Sequence, residues 1–197
     1  EGLDSVFHPV FDLSIIVPTF NRAESLKRLL KSLDSLECPD SVKMEVLIVN
    51  NASTDETEEL LLDEQKKPLK FSLKVLHEEQ SGQSAAINRG LKECRGEIIC
   101  LLDDDVVLDG RWIQGLLGSY EATDLDALQG RVLPGVDPSG QPADGKKLHY
   151  YNIPIVDYGD EIREIRGLTG AHMTFKRKVF EKVGFFDVRL GPGVSGF

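Results

Sequence analysis

The sequence predicts an α/β fold of the doubly wound kind, with a mostly parallel sheet. Three observations carry that prediction. Short apolar runs alternate with stretches of helical apolar spacing from Leu13 to Leu102. Each of the main runs stops at a cluster of polar turn formers. One of them, Ile98-Ile99-Cys100-Leu101-Leu102, is apolar throughout, as a strand buried on both faces requires, and ends at Asp103-Asp104-Asp105.

Leu13-Ser14-Ile15-Ile16-Val17 reads as the first strand, stopped by Pro18-Thr19-Phe20-Asn21-Arg22. From Ala23, apolar residues at Leu26, Leu29, Leu30, Leu33 and Leu36 predict a helix that Cys38-Pro39-Asp40 closes. Val46-Leu47-Ile48-Val49 is a second strand, ending at the capping residues Asn50 to Asp55, with a helix from Glu56 to Gln65. Phe71 to His77 is a third strand. Ser81-Gly82-Gln83-Ser84 opens a helix through Leu91, and the central strand follows. The loops after the first, second and fourth strands should open on one sheet edge, where a parallel sheet takes its ligands.

Beyond the acids, Trp112, Ile113, Leu116 and Leu117 predict a helix from Asp109, its cap, to Tyr120. Ala127 to Leu133 reads as a strand, Pro134 to Lys147 as a surface loop, and Tyr150 to Arg166 as mixed. Leu168 to Phe175 is expected as a strand in which Gly170 permits close approach of a ligand, and Lys176 to Val183 as a short helix ended by Gly184. At helical spacing Trp112 reads as core, and Arg89 and Arg95 as helix-end charges.

The chain has 197 residues, 41% hydrophobic and 28% charged, which suits one globular domain with a real core. A formal net charge of -10 argues against nucleic acid as a partner. It does not argue against a nucleotide, because a bound cation inverts local charge. Cys38, Cys94 and Cys100 show no regular spacing and read as reduced thiols, with Cys100 a small buried filler. No stretch has the length and apolarity of a membrane span, and no signal peptide is expected in the lead-in from Glu1 to Phe11.

Three adjacent carboxylates at a strand end repel one another and need a cation. A helix cap needs only one acid. Hard oxygen ligands beside a diphosphate suit Mg²⁺ or Mn²⁺, so Asp103 to Asp105 are the candidate metal–diphosphate site.

Five motifs in order then resemble family-2 glycosyltransferases. Ile15-Ile16-Val17-Pro18-Thr19-Phe20-Asn21-Arg22 resembles their opening strand and turn, and Ile48 to Thr57 their second-strand motif. Gly82 to Leu91 resembles the helix before their metal-binding strand, and Gly96 to Asp105 that strand with its Asp-x-Asp motif. Gly170 to Arg177, with Val183-Gly184-Phe185-Phe186-Asp187, is similar to their acceptor-side segment.

The resemblance implies a GT-A-like fold: one domain over 1–197, with a nucleotide-sugar-binding half at about 13–108 and a smaller mixed acceptor-side half at about 109–197. It implies inverting transfer of a sugar from a nucleotide diphosphate to an acceptor hydroxyl, with Mg²⁺ or Mn²⁺. Donor contacts would come from Pro18, Thr19, Asn21 and Arg22, with Asn50 and Asn51 at the base or ribose. Asp103 and Asp105 would serve ribose and metal, with Asp104 on the sugar side. Gly170, Ala171 and His172 would face a saccharide or lipid-linked acceptor. Many relatives carry Asp where Asn50 or Asn51 stands; an amide both donates and accepts and can still read a uracil or thymine edge, which leaves the base open, with a UDP- or dTDP-linked donor the leading expectation. The family's general base, an acidic pair after the glycine-rich stretch, is expected beyond Phe197, in an acceptor half incomplete at its C-terminus; Asp187 matches a structural turn. The family-level setting is envelope polysaccharide or glycolipid synthesis, in the cytoplasm or at the inner membrane face. The alternatives are a non-catalytic sugar-nucleotide-binding domain and a sugar-nucleotide nucleotidyltransferase. The latter usually carries a Gly-rich phosphate loop where this chain has Pro18 to Arg22.

Overall fold

A computed structural model describes residues 10–133, 135, 156–159 and 162–193. Among them run β1 (Phe11–Thr19), α1 (Ala23–Asp34), β2 (Met44–Asn50), α2 (Thr57–Glu64), β3 (Ser72–His77), α3 (Gln83–Glu93), β4 (Gly96–Leu102), α4 (Trp112–Ala122), β5 (Ala127–Gln129), β6 (His172–Lys176) and α5 (Arg177–Val183). The strands form one sheet in the order β3-β2-β1-β4-β6-β5. β1 to β4 are parallel, and β6 runs antiparallel to both β4 and β5.

That order places the site. After β1 the chain moves outward to β2 and β3, then returns to set β4 on the other side of β1. The loops leaving β1 and β4 therefore diverge, and a crevice opens between them at their carboxyl ends. The register Thr19↔Asn50 and Ile16↔Leu101 brings the loops after β1, β2 and β4 to that one edge, as expected.

Both faces of the sheet are covered, which is why its strands read as unbroken apolar runs. Leu13, Ile15, Val17, Ile98, Cys100 and Leu102 pack with Leu26, Leu29 and Leu33 of α1 and Ile113 and Leu116 of α4. Ile16, Leu47, Val49, Ile99 and Leu101 pack with Ala86, Ile87 and Leu91 of α3. Glycine fixes how close α3 comes: a Cβ on Gly90 would stand 2.5 Å from Ile16 Cγ2. At the opposite sheet edge, Ser14 donates to the Glu45 carboxylate and accepts from Gly96 N, locking β1, β2 and β4 in register.

Four expectations are corrected. Pro18 does not stop the first strand: β1 runs from Phe11 to Thr19, because the pairing with β4 ends at Ile16 while the chain continues along β2 with Pro18 opposite Val49. The strand expected to reach Leu133 ends at Gln129. There the Gln129 amide turns to His172 O, Gly130 seats against the His172 ring, and Val132 makes only an isolated bridge to Val156. The strand expected from Leu168 begins at His172, because Thr169 N is drawn to Gln129 Oε1 and His172 N bonds back to Thr169 O, which makes residues 169–172 a turn. Gly170 lies exposed in that turn, with nothing within 4 Å of a Cβ built on it. Asp109 does not cap α4; its carboxylate accepts from Arg111 N, and the helix starts at Trp112 without a side-chain cap. The expected loop falls almost wholly outside the described residues, as do Tyr150 and Tyr151 and residues 194–197.

Candidate functional site

Each aspartate after β4 goes to a different neighbour. Asp103 Oδ1 accepts from Gln83 Nε2 at the start of α3 across 3.0 Å. Asp104 Oδ2 accepts from Thr19 Oγ1 at the end of β1 across 2.8 Å. Asp105 Oδ2 accepts from Arg22 Nη1 across 2.7 Å, and the same nitrogen lies 3.5 Å from Asp104 Oδ1. The buried Thr19–Asp104 bond spans the crevice between β1 and β4 and fixes the acids against the first loop.

These residues line a cleft of about 450 Å³. Pro18, Thr19, Phe20 and Arg22 supply one wall, Asp103 to Asp105 the floor, and Ser81, Gly82, Gln83 and Ala86 the far wall. Pro192 and Gly193 close it from the end of the described chain. They are held there by α3, whose Gln83 N donates to Pro192 O and whose Ser84 Oγ donates to Leu190 O. Gly82, at φ 123°, leads into α3 and lines the cleft together with Gln83.

Burial holds the Asp103 and Asp104 carboxyls above the usual carboxylate range. For Asp103 the Asp105 charge adds to burial, while Gln83 and Arg22 oppose it. For Asp104 the Thr19 hydrogen bond and Arg22 oppose burial. Arg22 is the one basic side chain among the described residues lining the cleft, and its pKa is raised: burial would lower it, but the three aspartates outweigh that.

Among the described residues no three His, Cys, Asp or Glu side chains gather into an all-protein metal cage. Mg²⁺ seldom takes such a cage; it is commonly held by one or two carboxylates together with substrate phosphates and water. The hard oxygens of Asp103 and Asp105, lining an open cleft, fit Mg²⁺ or Mn²⁺ in that role.

The asparagines face inward to the scaffold. Asn50 Oδ1 accepts from Ser53 N while its amide donates to Glu58, which also meets His77. Asn51 donates to Glu78 O and Gln80 O and accepts from Gly82 N, so it fastens the 78–82 loop that walls the cleft. Asn21, at φ 53°, accepts from Thr54 N and ties the β1 loop to the β2 loop. Asn51 lines the cleft; Asn50 and Asn21 stand behind it.

On the other side, Asp103 N lies 3.4 Å from Ala171 O, so the turn into β6 abuts the acids. His172 is buried and accepts at Nε2 from Trp112 Nε1 across 3.1 Å. Burial lowers its pKa to about 4, so the ring is neutral and serves the scaffold. Trp112 packs on the core, as expected. Arg89 is paired with Glu93 on α3, and Arg95 precedes β4 at the far sheet edge.

Sequence reasoning did not single out Phe20 or Gln83. Phe20 is 56% exposed although aromatic, and it lines the cleft. An aromatic directly after a strand-ending Pro-Thr was the available signal. For Gln83 it was a polar side chain opening the helix that precedes the acids.

Comparison with known proteins agrees with this fold. The sequence model of Glycosyl transferase family 2 matches residues 14–184. Glycosyltransferase AglE of Haloferax volcanii is 34% identical over 92% of this chain, which spans 58% of AglE. Staphylococcus aureus TarS in complex with UDP superposes with a TM-score of 0.72 over 92% of this chain and 52% of TarS, at 22% identity. The mannosyltransferase PcManGT of Pyrobaculum calidifontis, in complex with GDP-Man and Mn²⁺, gives 0.68 over 95% of this chain and 50% of its own, also at 22% identity. The structural likenesses establish the GT-A-like fold; with the family match over most of its length, they leave one conclusion, that this chain belongs to glycosyl transferase family 2.

Proposed function

We propose that this chain binds a nucleotide-diphosphate sugar and contributes to inverting transfer of that sugar to an acceptor hydroxyl. One observation carries the reading: among the described residues, a cleft at the β1/β4 divergence holds three aspartates and a single arginine. In this reading the nucleoside lies by Pro18, Thr19, Phe20 and Asn51, and the diphosphate lies between Arg22, the α3 N-terminus and the acids. Mg²⁺ or Mn²⁺ held by Asp103 and Asp105 would neutralise charge developing on the leaving diphosphate. Asp104, fixed by Thr19, serves the sugar side. Residues 13–108 form the donor half, and 109–197 belong to the acceptor half.

The engaged amides refine the expectation for Asn50 and Asn51. With both donors of Asn51 spent on Glu78 O and Gln80 O, it acts by positioning the 78–82 loop. A UDP- or dTDP-linked donor is retained on the resemblance, and TarS, which shares the fold, binds UDP. The acceptor enters from the side of Ala171 and the segment ending at Gly193. Asp187 does not suit the general base, because Arg189 holds its pKa at about 2. A saccharide or lipid-linked acceptor, and action in the cytoplasm or at the inner membrane face, follow the family resemblance. No helix among the described residues is long and apolar enough to cross a membrane.

Calorimetric titration of UDP, dTDP and GDP, each with and without Mn²⁺, tests the proposal. Metal-dependent binding of one nucleotide, lost in Asp105→Ala, is the expected result. No binding of any nucleotide by the folded chain would overturn it.

A further inference from the structure

We propose that Arg22 is a stand-in cation: its guanidinium neutralises Asp104 and Asp105 until a divalent ion and a diphosphate arrive together, and it then exchanges the carboxylates for phosphate. The inference rests on the donor-site reading above and adds an order of events to it.

Three observations support the exchange. Arg22 Nη1 bonds Asp105 at 2.7 Å and reaches Asp104 at 3.5 Å, so the group meeting the acids is already a cation. The contact is easily broken. The Arg22 side chain is 53% exposed and that of Asp105 50%, and ion pairs so open to water hold weakly. Asp103 and Asp104 have other partners, Gln83 and Thr19, so departure of Arg22 leaves both of them hydrogen-bonded and releases the Asp105 carboxylate. The labile member of the triad is thus the carboxylate that the guanidinium covers.

The consequence is coupled binding. A divalent ion arriving alone meets a carboxylate that already has a counter-charge, and the displaced guanidinium would stay close and repel it. A nucleoside diphosphate arriving with the ion gives Arg22 a new anionic partner along the same wall of the cleft, and Arg is suited to bidentate contact with phosphate. Metal should therefore raise nucleotide affinity, and nucleotide should raise metal affinity by the same factor.

The test reads Mn²⁺ binding by electron paramagnetic resonance, without turnover, on the full chain and on Arg22→Met and Arg22→Lys. Each is titrated with Mn²⁺ alone, with Mn²⁺ plus UDP and with Mn²⁺ plus GDP. Arg22→Met should bind Mn²⁺ alone roughly threefold to tenfold more tightly than the parent, the size expected for removing one exposed counter-charge. Its gain on adding the nucleotide should shrink, and Arg22→Lys should fall between the two. Circular dichroism confirms that each variant is folded. Unchanged or weaker binding of Mn²⁺ alone by Arg22→Met, with nucleotide-dependent binding intact in the parent, overturns the stand-in role and leaves the donor site standing. No Mn²⁺ binding by the parent under any condition overturns the metal reading and this inference with it.

Discussion

Asn88 holds the backbone of Phe186 with both ends of its side-chain amide: Nδ2 donates to Phe186 O across 2.8 Å, and Oδ1 accepts from Phe186 N across 2.9 Å. The pair joins α3 to a segment 98 residues later in the chain. With the Ser84 and Gln83 bonds to Leu190 and Pro192, it lays residues 186–193 along α3 and sets Pro192 and Gly193 on the rim of the cleft. One helix thus contributes Gln83 to the cleft and fixes the neighbouring rim residues Pro192 and Gly193.

Asn88→Ala removes both bonds from a buried side chain, and a cost of about 1–3 kcal/mol is expected. The local effect should be larger than the global one. Amides from Phe186 to Leu190 should exchange with deuterium markedly faster, while those in β1 and β2 keep their protection. Nucleotide affinity should fall as the rim loosens. Unaltered exchange in residues 186–190 would refute the clamp.

Gly90→Ala tests the spacing that positions this helix. Alanine raises helix propensity by up to about 1 kcal/mol, yet its Cβ would meet Ile16 Cγ2, part of a fully buried β-branched side chain, at 2.5 Å. Overpacking of this kind costs about 1–3 kcal/mol, so the net change should be a destabilisation of up to about 2 kcal/mol in urea unfolding. A stabilised variant would mean that α3 can retreat from β1 freely.

The contrast between Gly90 and Asp103 shows what the sequence could tell. The strand rhythm, the switch from apolar run to acids and the polar turn after Asn50 are local patterns, and each lies where it was expected, whereas Pro18 stays inside β1, paired opposite Val49. The partners of the acids are long-range: Thr19 meets Asp104 from 85 residues away, and no periodicity encodes that pairing. The same limit explains the strand ends. Gln129 and Thr169 bond across 40 residues, which stops β5 and delays β6 although β-forming residues continue. Asn50 and Asn51 were legible as a turn, but only the fold shows their amides spent on Glu58, Glu78 and Gln80.

His172 predicts a pH dependence with a definite sign. Its folded pKa of about 4 lies below its ordinary 6.5, because burial against Trp112 and Gly130 disfavours the charged ring. Between those two values the unfolded chain binds a proton that the folded chain does not, so this contribution to stability is present above pH 6.5 and is lost as pH falls toward 4. From pH 7 to pH 5 the loss should be about 2 kcal/mol. In His172→Asn, whose side-chain oxygen can still accept from Trp112, that part of the slope should vanish, while the carboxylates titrate as before. Parallel slopes for the two proteins would show that the ring is not kept neutral by burial.

Phe20 offers a way to separate recognition of the base from recognition of the diphosphate. It is a large apolar side chain, 56% exposed, on the same cleft wall as Thr19 and Arg22 but away from the acids' own hydrogen bonds. An aromatic ring left in water at a ligand cleft is suited to stack on a base, and such stacking is worth about 1–3 kcal/mol. Phe20→Ala should therefore weaken UDP binding in the presence of Mn²⁺ by roughly tenfold, and Phe20→Trp should retain most of it. Inorganic pyrophosphate with Mn²⁺ carries the charge and lacks the base, so its affinity should be the same in the parent and in Phe20→Ala. Equal losses for UDP and pyrophosphate would mean that Phe20 shapes the loop holding Arg22 and does not meet the base; no loss for either would place the base elsewhere in the cleft.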